Sequence, residues 1–598
     1  MSFDALQSVG DTVYWIEGRP EGDVLVGWSP RAGRRDVLPK GWHAASYVHE
    51  YGGGAYVADC RGMWFCNAAD QRIYHCQEGR TPLPVTPVPE TPHALRYADL
   101  RLIRKVGRLV CVRERHEPDA VHNELISLPI DGSAEPRVIA SGRDFYMSPT
   151  PSPDGLLLAW VSWDIPLMPW DGSWLWLAEV KPDGTLVNRQ LIAGGENESV
   201  CQPQWGPDGV LYFVSDRSGW WNLYAWRDDK CVPVVSGEFE LAAAPWEFGY
   251  RTYAVQENGI IAIVQQGPEH HLATWSRSGV MNRVAMPYTS MKPYMAVTGN
   301  DVILIASSPS RLPEISRVGA EETSISTLAS AGWSEGRRSF SQPQRFTFPT
   351  RDGAVAHGLY HPPATAADQP SPLLIRAHPG PSSNWPLRLD LHAQYFTSHG
   401  FAVADIDYRG STGYGRAYRL QLRQRWGRID ATDCADAALH LAAAGLADRD
   451  RIAIWGASAG GFTVLSALSS TEVFQAGIAR SAIIDPNVWG QSAPKFQAHH
   501  AALLAGHPDD FVFTRPLLLI HGDADAVTPL GQVRALSGRN PDITRLMVIP
   551  GAGHSFRRAR DIARILAAEL DSLFPLLQPA FRPRPLASLP SVAAEDEH

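Results

Sequence analysis

A turn followed by an apolar strand recurs seven times in the first 340 residues, and this repeat constrains the fold most. The six turn glycines lie 45 to 54 residues apart, and a seventh turn follows about forty residues later. A period of this length is typical of a β-propeller, in which each repeat forms one four-stranded blade. Unrelated hairpins would not be spaced so evenly. We therefore predict a seven-bladed β-propeller over residues 1–340. The turns are at Gly10, Gly62, Gly107, Gly155, Gly209, Gly259 and Asp301.

The pattern changes after Gln344, where apolar strands begin to alternate with helical segments. A hairpin turns at Asp352-Gly353 and is followed by a Pro/Ala-rich linker. Such alternation predicts a doubly wound α/β domain, here residues 341–577, with the boundary in Ser334–Gln344. The proline-rich tail 578–598 is predicted to be mobile or to lie on the surface. Strands are predicted at 373–377, 401–406, 452–455, 516–520 and 545–549, and helices near 388–398, 431–444, 461–469, 530–537 and 558–573.

The stretch Arg451–Leu468 contains a candidate nucleophile. A short apolar strand, Ile452–Trp455, runs into Gly456-Ala457-Ser458-Ala459-Gly460, and an apolar helix follows at once. This is the G-x-S-x-G pattern of a nucleophile elbow, in which small neighbours let the helix approach the strand. A glycine-rich turn with a solvated serine would also match the pattern, but the flanking strand and helix favour Ser458 as a nucleophile.

A base and an orienting acid follow Ser458 in the order found in α/β-hydrolases. The strand 516–520 leads into a loop that contains two acids, Asp523 and Asp525, and the strand 545–549 leads to His554. We predict Asp525 as the acid because it lies further beyond the strand end. His521 precedes both acids and is interpreted as structural.

The oxyanion of an acyl-transfer reaction needs backbone N–H donors. One donor is expected from Ala459, the residue after the nucleophile. The other should come from the loop after the strand 373–377, which reads His378-Pro379-Gly380-Pro381. Proline has no N–H, so Gly380 is the predicted second donor.

These motifs resemble the prolyl oligopeptidase family of serine peptidases, in particular its acylaminoacyl-peptidase and aminopeptidase-like branch. The matching segments are Gly456–Gly461, His521–Pro529, Gly553-His554 and Asp407–Gly415, of which the last is the most specific. The resemblance implies a propeller before the hydrolase domain and peptides as substrates. Two departures affect the acyl pocket: Pro379 replaces the first glycine of the family's His-Gly-Gly-Pro loop, and only a short segment, 505–515, precedes the Asp525 strand.

Substrate contacts are less clearly indicated. The resemblance offers Tyr408 and Arg409. Aromatic propeller loops with four tryptophans could pack between blades or form a substrate-facing wall, where Trp163 would contribute and Asp164 would receive an amino terminus. Rival carboxylates in the propeller loops are Glu50, Asp171 and Glu238.

Composition excludes several other classes of function. The net charge of -9 provides no basic surface for nucleic acid, and no apolar run or basic leader indicates a membrane span or a signal peptide. The seven scattered cysteines have no zinc-ligand spacing, so we expect no metal and no cofactor, and a cytoplasmic protein with reduced thiols. The oligomeric state stays open, a homo-oligomer included.

The sequence thus predicts a serine peptidase that hydrolyses short peptides or aminoacyl amides through an acyl-enzyme on Ser458. One alternative is an amidase or esterase that tailors an aminoacylated metabolite. Another is a propeller scaffold with an idle hydrolase, which the complete triad argues against.

Overall fold

The computed structural model describes residues 2–319, 324–332, 340–364, 369–505 and 511–577. Residues 334–339 of the predicted boundary stretch 334–344 are not among the described residues. The predicted tail from 578 lies wholly outside them. Residues 506–510 of the short segment 505–515 are also outside them.

The first part of the chain forms seven four-stranded sheets, in each of which the strands pair in chain order. The predicted seven-bladed propeller is therefore confirmed. The blades contain β1 to β28: Ser2–Val9, Thr12–Arg19, Gly22–Ser29, Gly33–Asp36; Tyr56–Asp59, Gly62–Cys66, Ile73–Cys76, Leu83–Pro84; Leu95–Ile103, Arg108–His116, Val121–Pro129, Arg137–Ala140; Phe145–Pro151, Leu157–Trp163, Ser173–Val180, Leu186–Gly195; Val200–Trp205, Leu211–Ser215, Asn222–Arg227, Lys230–Val235; Tyr253–Gln256, Gly259–Gln266, Glu269–Ser276, Met281–Arg283; Ser290–Thr298, Asp301–Ser308, Arg311–Val318, Ile325–Ser330.

The seven apolar repeats of the sequence are the second strands of the blades: β2, β6, β10, β14, β18, β22 and β26. A second strand is covered on both faces by the neighbouring blades. Its side chains are therefore buried on both sides, and the strand reads as a continuous apolar run rather than an alternating one. In β26, for example, every residue after Asp301 is buried.

Hydrogen bonds around the propeller axis join each blade to the next. One of them, from Ser8 Oγ to Val297 O, joins the first blade to the seventh. The ring therefore closes although no blade combines strands from both ends of the propeller sequence. In order around the ring they are Gln7 Nε2 to Tyr56 O (2.7 Å), Asp99 N to Gly54 O (2.9 Å), Ser148 N to Asp99 Oδ2 (2.6 Å), Thr150 Oγ1 to Pro203 O (3.2 Å), Thr252 N to Gln202 Oε1 (2.8 Å), Arg251 N to Pro293 O (2.8 Å) and Ser8 Oγ to Val297 O (2.7 Å).

The second part is an eight-stranded sheet in the order β29-β30-β32-β31-β33-β34-β35-β36. The first two pairings are antiparallel and the others are parallel. In chain order, the strands β29 to β36 are Gln344–Pro349, Val355–His361, Leu373–Ala377, Ala402–Asp407, Ile452–Ala457, Ala476–Arg480, Leu517–Gly522 and Thr544–Ile549. The helices α1 to α8 are Leu391–Ser398, Gly415–Arg419, Ile429–Ala443, Ala459–Ser470, Pro486–Ser492, Lys495–Leu504, Leu530–Arg539 and Ala559–Leu573.

Helices cover both faces of this sheet, as the apolar strand runs require. Successive strand residues point to opposite faces. Leu374 and Leu518 belong to the core that includes α1 and α8, whereas their chain neighbours Ile375 and Leu519 belong to the core that includes α3, α4 and α7. The predicted α/β domain is confirmed, although β34, α2, α5 and α6 were not predicted.

The propeller lies over the carboxyl ends of the parallel strands. Trp246 Nε1 of the propeller donates to Ser382 O, 2.9 Å away, in the loop after β31. Asp216 accepts from Arg416 and Arg419 at 2.6 Å each, and both arginines lie in α2, which follows β32. The propeller therefore covers the edge at which open α/β sheets place their sites. Among the described residues, no helix is both long and apolar enough to cross a membrane.

Candidate active site

Ser458 occupies a strained turn between β33 and α4. Its φ of 54° and ψ of -116° lie in a region that side chains rarely adopt. The turn is possible because its glycines have no Cβ: one on Gly456 would lie 2.2 Å from Gly460 O, and one on Gly460 would lie 2.4 Å from Ala377 O. The helix therefore begins immediately after the serine and presents its first N–H groups at the turn.

Ser458, His554 and Asp525 form a continuous hydrogen-bonded chain. His554 Nε2 lies 3.1 Å from Ser458 Oγ, and His554 Nδ1 lies 2.9 Å from Asp525 Oδ2. The His554 side chain is 22% exposed and that of Asp525 is 0% exposed. The imidazole thus faces the cleft while its acid partner is screened from water.

The loop around Asp525 holds a negative charge in a buried position. Oδ1 accepts N–H bonds from Val527 and Thr528 at 2.9 Å, and Oδ2 accepts the Thr528 hydroxyl at 2.8 Å. Burial alone would raise the pKa of Asp525, but the hydrogen bonds from His554 and Thr528 outweigh burial and lower it. Thr528 was not assigned a role from the sequence, although it belongs to the matching segment 521–529.

The rival residues of the triad have other partners. Asp523 is exposed, and its Oδ1 accepts the N–H of Gly551 at 2.7 Å, which joins the acid loop to the histidine loop. His521 is fully buried with Nε2 2.5 Å from Thr528 O, and burial lowers the pKa of His521. Its position fits the structural interpretation.

The two predicted oxyanion donors have unused N–H groups. Ala459 is the first residue of α4, so its N–H has no partner within the helix. Gly380 donates no hydrogen bond among the described residues, and its φ of 131° suits glycine. The 378–381 loop reaches the elbow, because a Cβ on Gly460 would also lie 2.8 Å from His378 O.

Tyr408 and Arg409 lie inside the hydrolase, 0% and 2% exposed. Tyr408 stacks on the His378 ring at 4.2 Å, and its hydroxyl is 3.2 Å from His378 O. Arg409 pairs with Asp433 and Asp352, both at 2.7 Å. These two side chains support the loops behind the site and offer no exposed surface to a substrate, contrary to the predicted contact.

The propeller residues predicted to contact substrate differ in exposure and in partners. Trp163 is 0% exposed and stacks on Phe145 at 5.1 Å, which fits packing within the propeller. Asp164 accepts from Arg143 and, at 2.9 Å, from Asp144 N, so its charge is partly matched. Glu238 is exposed and has no hydrogen bond or ion pair among the described residues.

Sequence reasoning missed an aromatic cluster between the domains. Phe496 of α6 enters the propeller, where it stacks on His49 at 4.8 Å and packs against Trp246 at 6.2 Å. Tyr51 packs against both Phe496 and Trp246, and burial and, more weakly, the charge of Asp525 raise its pKa. The only signal in the sequence was the unusual density of aromatic residues in the propeller loops. No three His, Cys, Asp or Glu side chains in the described ranges are grouped as metal ligands.

Comparisons with known proteins agree with this arrangement. A sequence profile of the prolyl oligopeptidase family matches residues 387–577. The structure of a puromycin hydrolase is 32% identical, covers 96% of this chain and 94% of its own, and superposes with a TM-score of 0.90. A puromycin-hydrolysing peptidase of Mycobacterium tuberculosis is 31% identical, covers 98% and 95%, and has a TM-score of 0.90.

Among curated relatives, dipeptidyl aminopeptidase BIII of Pseudoxanthomonas mexicana is 26% identical over 216 residues, 32% of this chain. That alignment spans 31% of the relative, and the alignment with a probable dipeptidyl-aminopeptidase B of Grosmannia clavigera spans 13%. The chain thus matches less than a third of the length of these relatives. The near full-length match to the 32% identical structure shows that the chain belongs to the prolyl oligopeptidase family.

Proposed function

We propose that the protein is a serine peptidase that cleaves short peptides or aminoacyl amides through an acyl-enzyme on Ser458. The observation that carries this proposal is the chain of hydrogen bonds from Ser458 through His554 to Asp525, at 3.1 and 2.9 Å. Covalent catalysis by serine needs a base within this reach and a group that orients the base. The domains are proposed to divide as predicted, 1–340 and 341–577.

The geometry assigns a role to each group in the reaction. Asp525 accepts a hydrogen bond from the Nδ1–H of His554, so the lone pair of Nε2 is free to take the Ser458 proton as the serine oxygen attacks the carbonyl carbon. The N–H groups of Gly380 and Ala459 are proposed to stabilise the oxyanion. His554 then protonates the leaving amine. In the second half of the reaction, water attacks the acyl-enzyme with the same assistance from His554, and the carboxylic acid product is released.

A narrower substrate class is favoured by the comparisons. Two structures with TM-scores of 0.90 are those of puromycin-hydrolysing enzymes. This supports the second candidate function, an amidase acting on an aminoacylated small metabolite. The same triad serves both candidates, and they differ only in the leaving group that the cleft accepts.

The cytoplasm remains the proposed location. The seven cysteines are all free thiols in the structure, as a reducing compartment would keep them. No cofactor is part of the proposed reaction.

A panel of chromogenic aminoacyl amides, with free and with acylated amino groups, tests the proposal. A fluorophosphonate probe should label Ser458, and Ser458→Ala should abolish both labelling and turnover. Ser470→Ala, at the far end of the same helix, is the matched control and should keep full activity. Undiminished hydrolysis by the Ser458→Ala protein would refute the enzyme proposal. Preference for free amino groups would indicate an aminopeptidase, and preference for acylated ones an acylaminoacyl-peptidase.

A further inference from the structure

The central channel of the propeller is interrupted by a contact across its axis. Phe248 N of the sixth blade donates to Gly52 O of the second blade at 2.9 Å, and Gly53 and Phe248 pair as an isolated bridge. Blades two and six are not neighbours in a ring of seven, so this contact crosses the channel. It needs glycine, because a Cβ on Gly53 would lie 2.4 Å from Phe248 O.

A cavity of about 530 Å³ lies in the channel beyond this crossing. It is on the face away from the hydrolase: Asp144, just before β13, contacts the hydrolase, whereas the cavity is lined by Pro151, Ser152, Pro153 and Gly155 at the other end of β13. All seven blades contribute to its wall. No residue of the hydrolase domain lines it, so a molecule held in this cavity does not contact Ser458.

The charge of the cavity wall is positive. Its lining residues include Arg101, Arg104 and Arg251 and contain no aspartate or glutamate. Behind the wall, Asp99 pairs with Arg101 at 2.8 Å, and Asp59 pairs with Arg61 at 2.7 Å and lies 3.7 Å from Arg104. The Arg251 guanidinium has no hydrogen bond or ion pair to any described residue, so its charge is left without a counterion.

A second unmatched donor lies beside Arg251. Gln202 is 5% exposed, and its Oε1 accepts from both N and Oγ1 of Thr252, the residue after Arg251, at 2.8 and 2.9 Å. These two bonds fix which end of the amide is the oxygen. Its Nε2 is then left buried without an acceptor among the described residues, which is costly in a native structure. The side-chain amide nitrogens of the other two glutamines in the cavity wall, Gln7 and Gln204, both donate to carbonyl groups.

We propose that this cavity, which we call the outer cavity, binds the terminal carboxylate of a short peptide through Arg251 and Gln202. A guanidinium fork and an amide NH₂ are matched donors for the two oxygens of a carboxylate. The unpaired guanidinium of Arg251 matches the single negative charge of a carboxylate. The volume is in the range of sites for small ligands. This binding does not depend on the proposed catalytic function.

Calorimetric titration of the full-length Ser458→Ala protein with triglycine and with triglycine amide tests the assignment. Triglycine should bind more tightly than its amide, and Arg251→Gln should weaken triglycine by about tenfold to a hundredfold, the usual worth of a charged hydrogen bond. The amide should be insensitive to that change. Arg251→Lys keeps the charge without the fork and should give an intermediate affinity. Arg31→Gln removes an exposed arginine from the same domain and should change nothing.

Three results would overturn the proposal: equal affinities for the acid and the amide, unchanged triglycine binding in Arg251→Gln, or preferential binding of inorganic phosphate. Hydrolysis of an aminoacyl amide by Arg251→Gln in the Ser458 background should equal that of the wild type, because the outer cavity is separated from the cleft. If Arg251→Gln does not fold, the comparison of acid with amide on the parent protein decides the question.

Discussion

Replacing Asp525 by asparagine should lower kcat about 10⁴-fold, because it forces His554 into the wrong tautomer. The two oxygens of Asp525 have different partners. Oδ1 accepts the N–H groups of Val527 and Thr528 at 2.9 Å, and Oδ2 accepts from His554 Nδ1 at 2.9 Å. An asparagine will therefore keep its oxygen at the Oδ1 position.

The alternative orientation of the asparagine is much less favourable. It would place the amide NH₂ against two backbone N–H groups and leave both unpaired, at about 1–3 kcal/mol for each. The NH₂ group must therefore face His554 Nδ1, which becomes the acceptor. The imidazole proton then resides on Nε2, where it blocks transfer from Ser458. The barrier rises by about 5.5 kcal/mol, which corresponds to the 10⁴-fold loss.

The assay is kcat and KM on one chromogenic aminoacyl amide, with a thermal melt to verify folding. Asp523→Asn is the matched control: it keeps an oxygen for the Gly551 N–H, which Asp523 accepts at 2.7 Å, and should change kcat less than about threefold. KM should be similar in both variants. An Asp525→Asn enzyme with more than a tenth of wild-type activity, or an equal loss in Asp523→Asn, would refute the assignment of the acid.

Three further predictions follow from the same structure. Gly380→Pro removes a proposed oxyanion donor and should cost about a hundredfold in kcat, whereas Pro379→Gly should change it less than about tenfold; a hundredfold gain for Pro379→Gly would show that Gly380 is the wrong donor. Burial raises the pKa of Glu240 from 4.5 to about 7, so its protonated form is favoured by folding and stability is lost as the pH rises through this window. From pH 5 to pH 8 the wild type should lose about 2–3 kcal/mol relative to Glu240→Gln in denaturant unfolding, and a constant difference would contradict the shift. Because the propeller covers the carboxyl edge of the sheet, a stable folded protein should resist digestion under conditions in which peptides of a few residues are cleaved, and its efficient degradation would contradict the covered arrangement.

Strands that are buried on both faces could be predicted, because burial on both faces requires apolar residues. Strands whose burial does not show in their composition were missed. The second blade strands and the strands 373–377 and 452–457 each contain a short apolar run, because neighbouring elements cover both of their faces. In contrast, β34 reads Ala-Gly-Ile-Ala-Arg, with small residues that fit under α4: a Cβ on Gly477 would lie 2.4 Å from Leu468 Cδ1. A strand on which a helix packs closely consists of small residues, so its sequence lacks the apolar run that would predict a strand.

The site shows the same division. The three residues of the proposed triad could be named from the sequence because they follow strand ends in a fixed order, and this order is visible in the chain. The cleft walls were not, because they depend on which loops of two domains meet. Trp246 and Phe496 are 250 residues apart and become neighbours only through the docking of the propeller. Glu238, which the sequence offered as a rival carboxylate, is exposed instead.

The Asp407–Gly415 motif shows how the two domains are joined near the catalytic loop. In its first half, Ser411 Oγ lies 2.7 Å from Nε2 of His378, at the base of the proposed oxyanion loop. In its second half, Gly413 O accepts from Gly267 N at 2.9 Å, and Gly415 N donates to Glu240 Oε1 at 3.1 Å, both in the propeller. A Cβ on Gly413 would lie 2.8 Å from Gly267 O, so only glycine fits at this position. The motif therefore connects the propeller to the proposed oxyanion loop within a few residues. We expect a motif that contains no member of the proposed triad to help hold the acyl pocket in place.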